Sequence, residues 1–151
     1  MNEFDRPRHP DHLPPITTAR ELHERWETLL GTGYGRRVLY CGFLAGTGRM
    51  APMISCVEDV PDRPDRRTTE NLLHACRRVL DEFELAGGSV AILIGRPGPS
   101  RIDPDDLAWA RTLLAAARAT GVPLQPIHLG TDSDIRVFAA DDLLEPQSAR
   151  S

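Results

Sequence analysis

Residues 89–95 read Ser-Val-Ala-Ile-Leu-Ile-Gly, a run of strand length with no polar side chain after Ser89. A strand with one wet face would alternate polar and apolar residues, so an unbroken apolar run predicts a central strand covered on both faces. Cover on both sides of a sheet restricts the chain to a layered architecture. The residues that follow sharpen this. After the turn Arg96-Pro-Gly-Pro-Ser-Arg-Ile comes Asp103-Pro104-Asp105-Asp106, then apolar spacing to about Thr120 and a glycine at 121. Asp at the N-cap, Pro at the first helical position and two carboxylates facing the helix dipole predict a helix over 104–120, and Gly121 stops it.

The remaining pattern predicts α/β (α+β) architecture: a single layered domain with a mixed β-sheet flanked by helices, in the order α-β-β-α-β-α-β-β. Thr18-Ala-Arg-Glu21 has capping-box spacing and opens a first helix carrying Leu22, Trp26, Leu29 and Leu30. Two strands, 36–46 and 50–60, flank a Gly-Thr-Gly turn, with Pro52 expected at an edge or bulge. A helix from about Thr69 to Leu85 has Leu72, Leu73, Cys76, Val79, Leu80 and Phe83 on one face. Short strands at 124–129 and 135–139 close the domain. Residues 1–16, with four prolines and little periodic hydrophobicity, read as a flexible N-terminal tail, 17–144 as the domain, and 145–151 as a flexible C-terminal tail.

At 151 residues the chain is one domain long, enough for a self-sufficient core. Its formal charge is −4 and no block of like charge interrupts it, which disfavours a broad nucleic-acid-binding face. The first sixteen residues hold no apolar run that could serve as a signal-peptide core and no segment approaches the length of a membrane span, so a soluble, cytoplasmic chain is expected. Cys41, Cys56 and Cys76 lie singly in apolar segments and read as reduced, buried thiols. Few aromatic residues are available to anchor a tight interface, and homo-oligomerisation is left open.

Two stretches carry a family resemblance. Val38-Leu-Tyr-Cys-Gly-Phe-Leu-Ala-Gly46 resembles the first strand of JAB/MPN domains, where Glu-x-x-Cys-Gly-Leu-Leu-x-Gly is usual. The 89–118 stretch is similar to their metal-site segment, which in the RadC-type branch runs His-Asn-His-Pro-Ser-Gly, then a spacer, Ser-x-x-Asp and a helix. The resemblance spans 36–144 and implies that fold. Active members hold Zn²⁺ with two His and one Asp and use a Glu as general base. Carried over position by position, the two His fall at Ile94 and Arg96, the Pro at Pro97, the Glu near Leu39, the Ser at Asp103 after one deletion, and the Asp at Asp106. Only the Asp matches, and Asp106 has an independent reason to be there as a helix-start residue.

The resemblance therefore implies a degenerate, non-catalytic binding or scaffold domain with no cofactor, no metal and an unknown protein or small-molecule partner. Its expected binding residues are Arg96, Ser100, Arg101 and Asp106, bordering a shallow groove, with Arg96 supplying a guanidinium to a carboxylate or phosphate; the plainer reading makes Arg96 a solvated turn residue. The alternative is a small enzyme or nucleotide- or phosphate-binding domain using the 95–103 loop. That loop matches neither Gly-x-Gly-x-x-Gly nor the P-loop pattern. A Cys41 or Ser100 hydrolase ranks last, because neither has a recognisable base and Ser100 is not in a Gly-x-Ser-x-Gly elbow.

Overall fold

A computed structural model of the chain describes residues 13–31, 33–85 and 87–143. Three helices, α1 (Ala19–Leu29), α2 (Arg66–Glu82) and α3 (Pro104–Thr120), flank a sheet of five strands: β1 (Val38–Leu44), β2 (Met50–Val57), β3 (Ser89–Gly95), β4 (His128–Gly130) and β5 (Ile135–Val137). Their spatial order is β2-β1-β3-β4-β5, and only β3 and β4 run parallel. The α/β class and element order agree with the sequence reading. A 3₁₀ turn, Ala140–Leu143, follows β5. No described helix is long and apolar enough to cross a membrane.

The apolar run at 89–95 is central, with β1 on one side and β4 on the other. Its alternate residues divide between two cores. Val90, Ile92 and Ile94 join Leu39, Cys41 and Phe43 beneath α2 and α3, while Ala91 and Leu93 join Leu22 and Trp26 of α1. Each helix ends where its local chemistry dictates. Thr18 and Glu21 form the expected capping box of α1, and Asp103 and Asp106 form another at α3, which closes on Gly121 in the left-handed conformation.

Several boundaries move. Helix α2 starts three residues before the expected Thr69, because the Asp65 side chain accepts from the Thr68 amide and caps it there; Phe83, assigned to its apolar face, is half-exposed. The apolar spacing of α3 puts Leu107, Ala110, Leu114 and Ala117 on one face, but its buried apolar stripe is Trp109, Ala110, Leu113, Ala116 and Ala117. The expected strand at 124–129 reduces to a Leu124 bridge to Val90 and to β4 itself, as Pro126 cannot donate to a ladder. Pro52 lies on edge strand β2, as its missing donor requires. Cys41 and Cys76 are buried, but Cys56 is exposed on that edge strand.

The tail assignment at the N-terminus also needs correction. Residues 1–12 and 144–151, the second stretch holding the expected C-terminal tail, lie outside the described residues, but Leu13 and Ile16 are buried. The Ile16 amide donates to the Gly48 carbonyl at 2.8 Å, and Arg25 donates to the Pro14 carbonyl. Gly48 has φ +91°, and a Cβ there would stand 2.1 Å from the Ile16 carbonyl oxygen. The packed chain thus reaches back to Leu13; Pro14 and Pro15 separate two apolar anchors without helical or strand periodicity.

Candidate functional site

The carboxyl ends of parallel strands β3 and β4 and the start of α3 share one edge of the domain, the place where open α/β sheets commonly bind ligands. Strand β1 is antiparallel to β3, so its beginning lies at the same edge. Val38 pairs with Gly95 and Leu39 with Ile94. One residue beyond the last pair, Arg37 and Arg96 continue onto the face of Leu39 and Ile94, since side chains two residues apart along a strand share a side.

Both guanidiniums converge on Asp106 in the first turn of α3. Arg96 Nε donates to the two Asp106 oxygens at 2.8 and 2.9 Å, and its Nη2 donates to Oδ2 at 2.7 Å. Arg37 Nη1 donates to Oδ1 at 3.0 Å. Asp106 is completely buried and the two arginines nearly so. Burial alone would raise the Asp106 carboxyl; the Arg96 hydrogen bonds, the Asp103 amide and Arg37 outweigh it and hold the group below the usual carboxylate range. The same bonds hold the Arg96 guanidinium above its ordinary range against its own burial.

The rest of the Arg96 head organises the loop. Nη1 donates to the Pro97 and Pro99 carbonyls, each at 2.9 Å, and Nη2 to the Arg101 carbonyl at 2.7 Å. A guanidinium has five N–H donors, and all five are used within the protein. Arg96 is therefore neither a solvated turn residue nor a free arm for a carboxylate or phosphate. Its loop is also stitched to the β4–β5 turn, where the Gly98 amide donates to Asp132 Oδ2 at 2.8 Å and the Asp132 amide to the Gly98 carbonyl.

Beside this clamp lies a cleft of about 680 Å³, lined by Arg36, Arg37, Asp59, Val60, Asp62, Arg96, Pro97, Pro99, Asp103 and Asp105. The groove expected beside Arg96 and the start of α3 is present, but its residues differ from those expected. Asp106 forms part of its foundation through Arg37 and Arg96. Ser100 and Arg101 are not in the lining; their carbonyls accept from Arg136 and Arg96 respectively. The opposite wall, 59–62, was not singled out by the sequence. Trp109 Nε1 fixes it by donating to the Pro61 and Asp62 carbonyls, both at 3.0 Å.

These groups do not suit zinc. Leu39 and Ile94 offer hydrocarbon and Arg96 a cation, and among the described residues no three His, Cys, Asp or Glu side chains form a metal-holding group. A phosphate cradle is disfavoured as well. The Asp103 and Asp106 amides are taken by each other's carboxylates, and the Gly98 amide by Asp132. Asp103 and Asp105 would further repel an anion from this helix start. Of the histidines described, His128 is fully buried on the α1 face of the sheet, against His23. No protein-family model matches this chain, and no curated protein does.

Proposed function

We propose that this chain is a catalytically inert JAB/MPN-like domain of the RadC type, acting as a binding or scaffold module through the cleft beside Arg37 and Arg96. The observation that carries this reading is the convergence of four separated motif positions. Leu39, where the general base would stand, faces Ile94, where the first His would stand; Arg96, at the second His position, is bonded to Asp106, at the Asp position. Only the Asp matches the motif by letter, so the support lies in the four positions standing together at one edge of the sheet.

The chemistry of the replacements supports the inert reading. A zinc hydrolase needs an open coordination position for water and a base to deprotonate it. Hydrocarbon at Leu39 and Ile94 supplies neither. The Arg96 guanidinium puts a fixed positive charge beside Asp106, but its donors are satisfied internally and it has no vacant coordination position for a substrate carbonyl. What remains is a cleft with pinned walls, and pre-organised surfaces lose less on binding than mobile ones.

Restoring the motif tests the reading. The variant Leu39→Glu, Ile94→His, Arg96→His, with Asp106 retained, should bind one Zn²⁺ and melt at a higher temperature with the ion present, because a ligand that binds only the folded state stabilises it. Asp106→Ala in the same background should abolish that response. A folded triple variant that takes up no zinc contradicts the assignment of these positions.

A further inference from the structure

We propose that the cleft recognises a basic peptide segment, with a main-chain carbonyl directed at Arg37 Nε and an Arg or Lys side chain between Asp62, Asp103 and Asp105. The inference rests on reading the cleft as a binding surface and names the chemistry of what it binds. It starts from Arg37. The side chain lines the cleft and is 7% exposed, yet its Nε is buried without a hydrogen-bond partner. The nearest carboxylate, Asp62 Oδ1, stands 3.9 Å away on a side chain that is 83% exposed. A buried N–H without an acceptor is costly, and a carbonyl delivered where the exposed Asp62 side chain now stands would relieve that cost.

The rim specifies the rest of the ligand. Asp103 lies 3.7 Å from Arg96 Nε, whose hydrogen is already given to Asp106, so that pair is an ionic contact without a bond. Asp105 lies 3.8 Å from Arg63, an 87% exposed side chain that a better partner can displace. With Asp62, these are three carboxylates with accepting capacity around a floor whose buried Arg37 Nε–H lacks an acceptor. An anion would satisfy the floor and be repelled by the rim; a simple cation would do the reverse. A peptide residue carries both required groups, a neutral carbonyl and, when basic, a cationic side chain, and arginine can engage carboxylates bidentately. The volume, about 680 Å³, lies within the range of ligand-sized pockets.

The test uses the full chain and a fluorescein-labelled Gly-Arg-Gly-Arg-Gly peptide with blocked ends, titrated by anisotropy at low salt. An identical peptide with citrulline for arginine serves as the neutral control. Asp62→Asn with Asp105→Asn should weaken binding by about fivefold to tenfold. Glu24→Gln with Glu27→Gln on α1, which changes the net charge equally, should leave it within about twofold. The Arg37 Nε–H resonance should shift as the arginine peptide is added. Equal weakening by both pairs, equal binding of the citrulline peptide, or an unmoved Arg37 resonance overturns the proposal. Melting curves of both variants show whether they are folded. If peptide recognition fails while the zinc-restoring variant succeeds, the peptide chemistry falls and the family reading stands; failure of that variant strikes the family reading itself.

Discussion

On the sheet face covered by α2 and α3, a buried carboxylate meets two guanidiniums; on the face covered by α1, a buried imidazole meets another imidazole. The first arrangement is densely bonded, with Asp106 accepting from Arg37, Arg96 and the Asp103 amide. The second leaves polar atoms unpaired. His128 Nδ1 donates to the Pro126 carbonyl at 3.1 Å, its Nε2 has no partner, and the His23 ring centroid is 5.5 Å away. Trp26 Nε1 and Arg25 Nη1, both on α1, are unpaired too. The contrast teaches that burial is tolerated by opposite means: one face keeps its charges and pairs them around Asp106, leaving Arg37 Nε without a hydrogen bond, whereas the other keeps His128 neutral. Burial, with His23 adding to it and the Pro126 bond opposing, pushes the His128 pKa down to about 4.

Breaking the charged cluster should have the largest effect. Asp106→Ala leaves two buried guanidiniums without their carboxylate and should destabilise the fold by about 3–5 kcal/mol, measured by urea denaturation. Asp106→Asn retains an oxygen for the Asp103 amide, so comparing the two substitutions separates the helix cap, worth about 1 kcal/mol, from the ion pairs. If Ala and Asn cost the same small amount, the cluster is not the support described.

Acid distinguishes the two faces. In the unfolded chain His128 takes a proton near its ordinary pKa of 6.5, whereas in the folded chain it resists until about 4. Stability should therefore fall as pH drops from 6.5 to 4, by about 3 kcal/mol from this residue, and its contribution should level off below that. Asp106 behaves differently: its lowered carboxyl contributes stability that is fully present above the ordinary carboxylate value of 3.8 and is lost as the pH falls further. Denaturation curves at pH 7, 5.5 and 4 should show the first decline in the wild type and a much flatter profile in His128→Leu. An unchanged slope in that variant would assign the decline elsewhere.

A smaller effect comes from the neck between the two regions. Gly95 and Gly130 are paired on β3 and β4, and the Tyr34 ring lies across both. A Cβ at Gly130 would stand 2.6 Å from the Tyr34 hydroxyl oxygen, so Gly130→Ala should cost about 1–3 kcal/mol through overpacking. Adding Tyr34→Ala removes the clash, and the double variant should lose less than the sum of the two single losses.

Much of this frame was legible in the sequence because local chemistry decides it. The unbroken apolar run identifies β3, and Asp103-Pro104 with Gly121 bounds α3 at both ends. Asp65 was equally available as a cap for α2, but the charged stretch around it hid the first turn. The candidate site was legible only in part. The loop and Asp106 stand out in the sequence, but the role of Arg96 does not, since nothing local shows that its donors turn inward to three loop carbonyls. Arg37 is less visible still: it is one arginine before a strand, 69 residues from Asp106. Only the β1–β3 register, which aligns Val38 with Gly95, brings it opposite Arg96. The wall at Pro61 and Asp62 depends likewise on a long-range bond from Trp109.

The measurement that bears most directly on the central claim is the zinc content of the untagged wild-type protein, purified without chelator, dialysed against metal-free buffer and analysed by elemental mass spectrometry. A site whose positive charge is the Arg96 guanidinium should carry far less than one zinc per chain, and adding Zn²⁺ should leave the melting temperature unchanged. One tightly held zinc per chain, lost in Asp106→Ala, would contradict the account.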